Sequence, residues 1–309
     1  MALKVIFLGT PQFGVPTLQK IFEKHRLLAC VCQPDKAGSR GKVEFSPVKK
    51  FALQHNVPLY QFEKISRDGV ETLKSLAPDV MVTAAYGQIL SQEVIDIPRY
   101  GIINVHGSLL PELRGAAPIQ YAVLKGMRRT GITILKTVLK VDAGDVLLQK
   151  PLDVLPYENC GSLFERMAQL GAQCIEEALE KIESGKATYT PQDETKVTFS
   201  AKITAEQERI DWSKPSQEII NLILALSPQT GAYTRMGETT LKIFDARLSD
   251  KQYDGRCGQV VECGKKVLAV LCGDGKAINV LQLQLQNAKK MDVVSFLCGR
   301  RLETGSCFE

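Results

Sequence analysis

The chain has little of what metal sites and disulfide frameworks require. Histidine is scarce, with 3 residues among 309, and none of them lies near a pair of cysteines. The 9 cysteines are odd in number and scattered, and Cys30 and Cys32 do not form a CxxC pair. Because structural zinc takes its ligands from clustered cysteine and histidine, we expect no metal. Scattered thiols of this kind are typical of reduced cysteines in a cytosolic protein, and we expect Cys30 and Cys32 to pack in a core.

Long apolar runs and a targeting leader are also missing. No run reaches the roughly 18 apolar residues needed to cross a bilayer, and the first residues lead directly into a strand pattern without the segments of a signal peptide. We therefore expect a cytoplasmic protein that does not contact membranes. The 309 residues suffice for two domains. The net charge of +5 permits a phosphate-bearing partner without requiring one.

The first half of the chain alternates strand and helix patterns. A buried strand over 3–9 is followed by a helix with one apolar face over 15–24 and by a second strand over 27–32. This alternation predicts an α/β fold with a doubly wound, Rossmann-like, mostly parallel sheet. The turn at 9–14 lacks the GxGxxG pattern, so we expect no bound dinucleotide. Ligands of such sheets bind beyond the carboxyl ends of the strands.

One stretch, Asn104–Gln120, contains residues that suit acyl chemistry. Asn104 and His106 come two residues apart just beyond an apolar strand, and in extended backbone this spacing puts both on one face. An asparagine amide can donate to a developing oxyanion, and a histidine can take and return a proton near neutral pH. Asp142, in a separate acidic turn, supplies a carboxylate that can fix the tautomer of a histidine.

These three residue types suit attack by an amine on an acyl or formyl carbon, a reaction that needs no serine or cysteine nucleophile because the substrate supplies the amine. Taken without its surroundings, a histidine in an apolar context is more often a core residue than a catalytic one. The strand end, the stiff loop around Pro111 and the acidic turn favour the chemical interpretation.

The patterns change after residue 189. The polar stretch over 190–206 has little helical or strand period and is predicted as a linker between a catalytic domain over 1–189 and a C-terminal domain over 207–309. The C-terminal domain begins with an amphipathic helix over 216–226 and continues as short strands separated by turns. This succession predicts a smaller, OB-like β-barrel.

Several motifs together resemble the methionyl-tRNA formyltransferase family, whose members use 10-formyltetrahydrofolate. The stretch Asn104–Gln120 carries the strongest likeness, although its Ser-Leu-Leu-Pro segment is shared by formyltransferases with other acceptors and so indicates only the formyl donor. The linker and the second domain favour tRNA as the acceptor. The further motifs, which extend the resemblance over nearly the whole chain, are Gly9–Pro11, Ala85–Leu90, Val141–Asp145, Gln192–Thr195, Ile210–Trp212 and Phe296–Leu302.

The resemblance implies a catalytic trio of Asn104, His106 and Asp142. Asn104 and His106 would stabilise the oxyanion, and Asp142 would orient His106 and help to move protons. Two alternatives stay open: Asp142 is also a residue that forms turns, and Tyr86 and Leu90 are equally suited to core packing. Asp145 is assigned to the turn. The residues that the resemblance places around the folate co-substrate are Ser108, Leu109, Leu110, Pro111, Tyr86, Gly87, Ile89 and Leu90.

A basic loop is the second feature that the resemblance makes functional. Lys36, Arg40 and Lys42 lie in a glycine-containing loop, and the equivalent loop of the family reaches into the acceptor stem of initiator tRNA, a role that carries over best to Arg40. On composition alone the loop is more simply a solvated segment with scattered charge. It is about one residue shorter than the family pattern and has Ala37 where proline is common.

The function implied is transfer of a formyl group from 10-formyltetrahydrofolate to the α-amine of methionyl-initiator tRNA, by a monomer that contains no metal. An alternative is a formyltransferase for an amino sugar nucleotide, which would keep the trio and would not need the basic loop. A third interpretation is a non-catalytic RNA-binding protein with an inherited transferase fold. The presence of Asn104, His106 and Asp142 together argues against it.

Overall fold

The structure is a computed structural model that describes residues 2–35, 44–299 and 302–309. Two compact units are present. The first comprises Met1–Pro118, Arg129–Asp153 and Phe164–Ser200, and the second comprises Ile119–Arg128, Val154–Leu163 and Ala201–Glu309.

The first unit is built on a seven-stranded sheet with the order β3-β2-β1-β4-β5-β7-β8. The pairs from β3 through β5 are parallel, whereas β5–β7 and β7–β8 are antiparallel. This arrangement confirms the predicted doubly wound, mostly parallel sheet. The strands are β1 (Lys4–Gly9), β2 (Arg26–Val31), β3 (Leu59–Tyr60), β4 (Val80–Ala84), β5 (Ile102–His106), β6 (Arg114–Gly115), β7 (Arg129–Lys136), β8 (Val146–Asp153) and β9 (Phe199–Ser200), of which β6 and β9 form a separate parallel pair.

The helix over Pro47–Gln54 begins where the local sequence satisfies its free backbone groups. The hydroxyl of Ser46 accepts a hydrogen bond from the amide of Lys49, and Pro47 occupies the first helical position, where its missing N–H costs nothing. The helices that start in the first part of the chain are α1 (Val15–Lys24), α2 (Pro47–Gln54), α3 (Val70–Ser75), α4 (Gln92–Ile95), α5 (Pro118–Leu124) and α6 (Cys160–Glu183).

The second unit contains an antiparallel sheet with the order β10-β11-β14-β13-β12, to which β15 is added beside β14. The predicted C-terminal domain of short strands is confirmed, as an antiparallel sheet, and its closure into an OB-like barrel stays a prediction. The last strand and helix have no counterpart in the sequence prediction, because each is short. The elements are α7 (Ser216–Ala225), β10 (Ala232–Met236), β11 (Thr239–Leu248), β12 (Val260–Cys263), β13 (Leu268–Leu271), β14 (Ala277–Leu285), β15 (Met291–Asp292) and α8 (Val293–Cys298).

The stretch over 190–206, which the sequence predicts as an irregular linker, contains regular structure between residues 194 and 200. Glu194–Lys196 forms a turn of 3-10 helix, and β9 pairs with β6. The sequence pattern does not show this because the partners of these residues lie about 80 positions earlier in the chain, as in the bond from the amide of Arg114 to the carbonyl of Thr198.

The described residues lack two features, a membrane-spanning helix and a cluster of metal-ligating side chains. None of the helices in residues 2–35, 44–299 and 302–309 is long and apolar enough to cross a membrane. Within the same residues, no group of three or more histidine, cysteine, aspartate and glutamate side chains is arranged to hold a metal ion.

Candidate active site

Asn104 and His106 lie inside β5, not beyond its end as the sequence predicts. The parallel strand β4 places Thr83 opposite Asn104, and the antiparallel strand β7 places Thr133 opposite His106. Since side chains of a strand alternate between its faces, Asn104 and His106 share one face, as the spacing predicts. His106 is buried, whereas Asn104 is half-buried.

The amide group of Asn104 is oriented by two hydrogen bonds. The hydroxyl of Thr83 donates to Oδ1 of Asn104 at 2.8 Å, and Nδ2 of Asn104 donates to Oδ1 of Asp142 at 3.3 Å. Because Oδ1 is occupied by the threonine, the NH₂ group must face Asp142. That NH₂ group carries a second hydrogen, which is the one available to a substrate oxygen.

The imidazole of His106 lies between a backbone carbonyl and a carboxylate. Nε2 is 3.0 Å from the carbonyl oxygen of Leu113, and Nδ1 is 3.6 Å from Oδ2 of Asp142. A carbonyl oxygen only accepts, so Nε2 carries the hydrogen in the neutral ring and the lone pair of Nδ1 faces Asp142. Burial lowers the pKa of His106, against the raising influence of Asp142 and of the Leu113 carbonyl. The ring is therefore neutral near pH 7.

Asp142 lies in the turn that joins β7 to β8 and adopts a left-handed backbone conformation, with φ of 52°. Its Oδ2 accepts a hydrogen bond from the amide of Gly115 at 2.9 Å. Its own carbonyl and that of Gly144 accept bonds of 2.8 and 2.7 Å from Nε2 of Gln192. Asp145, assigned to the turn by the sequence, accepts a backbone bond from Lys136 and so closes that turn. The structure thus brings Asn104, His106 and Asp142 together.

Three residues that sequence reasoning did not assign belong to the same arrangement: Thr83, Arg114 and Gln192. Arg114 is 1% exposed, and its Nε and Nη2 donate to Oε1 of Gln192 at 3.1 and 2.8 Å. Arg114 and Gln192 both fall within motifs of the family resemblance, which was the only available signal. Thr83 occupies an ordinary position in a buried strand, and nothing in the sequence separates it from its neighbours.

The loop over 108–111, predicted to contact folate, is fixed by β7 and β8. The hydroxyl of Thr133 donates to the carbonyl of Ser108 at 2.7 Å and accepts from the amide of Leu110 at 3.0 Å. Nε2 of Gln149 donates to the carbonyl of Leu110 at 2.7 Å. The Leu110–Pro111 peptide is cis. Leu109 is half-buried, and the side-chain hydroxyl of Ser108 donates to the carbonyl of Glu112 at 2.6 Å.

The other predicted folate segment, over 86–90, divides between core and surface. Tyr86 and Leu90 belong to a buried apolar cluster, whereas Ile89 is 79% exposed and Gly87 has a φ of 85°. The buried hydroxyl of Tyr86 has no hydrogen-bond partner among the described residues, and burial raises its pKa.

The basic loop and the cysteines complete the predicted residues. Lys36, Arg40 and Lys42 lie outside the described residues. Cys30 and Cys32 are fully buried in and beside β2, as predicted for core residues, and burial raises the pKa of both thiols, that of Cys30 to about 12. Neither is a thiolate at neutral pH, so neither acts as a nucleophile.

Comparison with known proteins identifies the family. Residues 3–179 match the family model described as formyl transferase, and residues 202–301 match that of the formyl transferase C-terminal domain. The chain is 43% identical to a methionyl-tRNA formyltransferase of Listeria monocytogenes over 298 residues (96% of this chain, 95% of that one). It is 42% identical to one of Agathobacter rectalis over 309 residues (99% of each).

A solved structure is similar in fold. It is an N-formyltransferase of Helicobacter canadensis in complex with folinic acid and dTDP-3-aminofucose, with a TM-score of 0.70, 17% identity and coverage of 91% of this chain and 99% of that one. At this identity the likeness shows the fold alone, whereas the relatives with 42–43% identity, over nearly their full lengths, share much more of the sequence. The chain belongs to the methionyl-tRNA formyltransferase family.

Proposed function

We propose that this enzyme transfers the formyl group of 10-formyltetrahydrofolate to the α-amine of methionyl-initiator tRNA, giving formylmethionyl-tRNA for translation initiation. The observation that carries the proposal is the arrangement of Asn104, His106 and Asp142, in which an amide donor, a neutral imidazole and a carboxylate adjoin one another. These groups supply hydrogen bonding and proton transfer, and the amine of the substrate supplies the nucleophile.

Asn104 is the donor for the formyl oxygen, which gains negative charge when the amine attacks the formyl carbon. The sequence assigns this task to Asn104 and His106 jointly. In the present geometry both ring nitrogens of His106 face protein groups, so the free hydrogen of the Asn104 amide is the better placed donor. Thr83 prevents the amide from turning its oxygen toward the substrate, where it would repel the developing charge.

The pair of His106 and Asp142 moves the proton. The attacking amine must lose a proton, and the nitrogen of the departing tetrahydrofolate must gain one. Atoms and charge balance if the pair of His106 and Asp142 holds that proton between the two steps. The lone pair of Nδ1 and the carboxylate Oδ2 lie 3.6 Å apart, and protonation of either would convert their contact into a charge-assisted hydrogen bond. The ring hydrogen on Nε2 stays bound to Leu113 throughout.

We propose that the folate co-substrate binds the two segments predicted for it, over 108–111 and 86–90. The Ser108–Pro111 loop is fixed by Thr133 and Gln149 and presents the half-buried Leu109, and the exposed Ile89 adds an apolar side chain from the other segment. For the tRNA we retain Lys36, Arg40 and Lys42 as the proposed contacts. We also propose that the enzyme acts in the cytoplasm, as a monomer.

The experiment offers the enzyme two acceptors with radiolabelled 10-formyltetrahydrofolate: charged initiator methionyl-tRNA and an amino sugar nucleotide. Label in the tRNA fraction alone is the expected result, since family membership favours tRNA over the sugar. Transfer to the sugar and not to the tRNA would establish the alternative. Binding of tRNA without transfer to either acceptor would support the non-catalytic interpretation. A variant Arg40→Ala should lower the use of tRNA and leave folate binding unchanged.

A further inference from the structure

The turn that contains Asp142 has two backbone hydrogen bonds of its own, from Lys136 to Asp145 and from Ala143 to Lys140, and Asp142 takes part in neither. Asp142 has a left-handed backbone, which costs a non-glycine residue about 1–2 kcal/mol. The side chains before it, Val138, Leu139 and Val141, are 40%, 58% and 57% exposed, so they provide little packing to hold the turn. A strained conformation persists only where other contacts impose it. Those contacts must come from elsewhere in the chain.

Gln192 provides them. Its amide NH₂ donates to the carbonyl of Asp142 at 2.8 Å and to that of Gly144 at 2.7 Å, so one side chain binds the backbone on both sides of residue 143. The oxygen of the same amide accepts two bonds from Arg114, and this fixes which end of the amide faces the turn. Neither Gln192 nor Arg114 contacts the carboxylate of Asp142.

Arg114 connects this support to the remainder of the site. Its neighbour Gly115 donates to Oδ2 of Asp142, so one dipeptide orients both Gln192 and the carboxylate. Its own charge is balanced by Glu194 at 2.6 Å, and Arg114 and Lys140 hold the pKa of Glu194 down to about 2. Lys140 belongs to the same turn as Asp142 and binds Glu194 at 2.8 Å. The side chains of Gln192 and Glu194 therefore bind the turn at Lys140, Asp142 and Gly144, whereas that of Asp193 does not.

We infer that Gln192, oriented by Arg114, is a positioning residue for catalysis: it sets the distance between the carboxylate of Asp142 and the imidazole of His106. The inference deepens the proposed function and rests on it, since it assigns to the segment predicted as a linker a part in the formyl-transfer site. The residue acts through Asp142 and does not touch the substrates. A merely structural role for Gln192 would lower stability without altering the environment of His106.

The test uses Gln192→Met, which keeps the length of the side chain and removes both donors without adding charge. With Asp142 released, kcat should fall about 10- to 100-fold, because misplacement of a catalytic group by about 1 Å costs that much. KM for tRNA and for the folate should change less than about twofold, because no substrate contact is lost. Asp193→Asn is the matched control, since Asp193 caps its own turn and does not contact the Asp142 turn. Its kcat should equal that of the wild type.

A second measurement does not depend on turnover. The chain has 3 histidines, so the imidazole signals of His106 can be followed by NMR and assigned from the loss of signal in His106→Gln. Among the described residues Asp142 is the charged group that faces His106. Gln192→Met should therefore lower the pKa of His106 further, because the carboxylate that raises it moves away.

The outcomes separate the two proposals. If the wild type transfers no formyl group, the proposed function fails, and the titration still decides whether Gln192 positions Asp142. An unchanged titration with unchanged kcat overturns the inference, and so does a loss of kcat that only follows the unfolded fraction measured by circular dichroism. If Gln192→Met does not fold, Gln192→Glu replaces it, since glutamate keeps the acceptor for Arg114 and removes the two donors. Wild-type kcat in that variant would equally overturn the inference.

Discussion

The three proposed catalytic residues are held by two kinds of structure, a strand and a turn, and the contrast between them explains which positions were predictable. Asn104 and His106 lie in β5, between β4 and β7, so the sheet fixes their backbone. Asp142 lies in an exposed turn with strained backbone and depends on Gly115 and Gln192. A strand position is encoded by adjacent residues, whereas the position of a turn residue depends on side chains that are distant in sequence.

This difference predicts how substitutions in the two parts of the site should affect activity. Substitution of a residue that supports Asn104 or His106 in the sheet should alter the chemistry of that side chain and leave its position intact. Substitution of a residue that supports the turn should move Asp142 as a whole, because few contacts determine its position. Three substitutions and one pH series test this contrast, and they follow in order of decreasing expected effect.

Removal of the strand-borne imidazole should have the greatest effect. His106→Ala deletes the proton acceptor beside Asp142, and loss of general acid–base catalysis costs about 10²- to 10⁴-fold. We expect kcat to fall in that range while binding of methionyl-tRNA, measured by filter retention, stays unchanged. His55→Gln is the control, since His55 stacks on Phe22 and Phe51 in the first unit and makes no contact with the trio. Loss of tRNA binding in His106→Ala would contradict the separation of the two sites.

The turn should be disrupted by a single methyl group. A Cβ on Gly144 would lie 1.8 Å from the carbonyl oxygen of Lys136, so the backbone must shift. Since Gly144 is two residues from Asp142, we expect Gly144→Ala to lower kcat about 100-fold with the fold intact by circular dichroism. Gly264→Ala is the matched control, because a Cβ there meets nothing within 4 Å. Equal activity of the two variants would show that Asp142 does not depend on this turn.

The sequence predicts the parts of the fold that are encoded locally. The helix at Val15–Lys24 and the proline-initiated helix after Ser46 follow from apolar spacing and capping, both of which involve neighbouring residues. The placement of Asn104 and His106 on the same face of the sheet follows from the period of a strand. These predictions need no knowledge of the remainder of the chain.

The parts that the sequence does not predict depend on distant contacts. A buried arginine such as Arg114 contradicts the usual exposure of charged residues, and its partner Gln192 is 78 positions away. Residues 190–206 are polar and aperiodic, and two of their side chains, those of Gln192 and Glu194, bind the turn that contains Asp142. Lys36, Arg40 and Lys42 stay a prediction, since they lie outside the described residues.

The pH dependence of stability should also reflect the buried strand position. Folding holds His106 neutral by burial, which lowers its pKa, whereas a histidine in the unfolded chain titrates near pH 6.5. The unfolded state therefore binds more protons below about pH 6.5, and the free energy of unfolding should decrease as the pH falls through that value, by up to about 1 kcal/mol per pH unit. His25, whose pKa burial also lowers, adds a second contribution.

Urea unfolding between about pH 8 and pH 5 measures this slope. His106→Gln should reduce it, and His25→Gln provides the comparison. Carboxylates with a lowered pKa, such as Glu194, lose their contribution only at lower pH. A slope in His106→Gln that equals that of the wild type would show that His106 does not enter the folded state as the neutral imidazole.

The smallest effect on kcat should come from substitution of Thr83, whose hydroxyl orients the amide of Asn104. Thr83→Val keeps the shape of the side chain and removes the hydroxyl that donates to Oδ1. The amide then loses the bond that distinguishes its two ends, a loss of about 1 kcal/mol, so we expect kcat to fall about fivefold. Thr83→Ser should restore activity because the donor returns, and the strand itself should stay in place in both variants. A hundredfold loss in Thr83→Val would mean that Asn104, like Asp142, depends on a single neighbour for its position, and the distinction between strand and turn support would not hold.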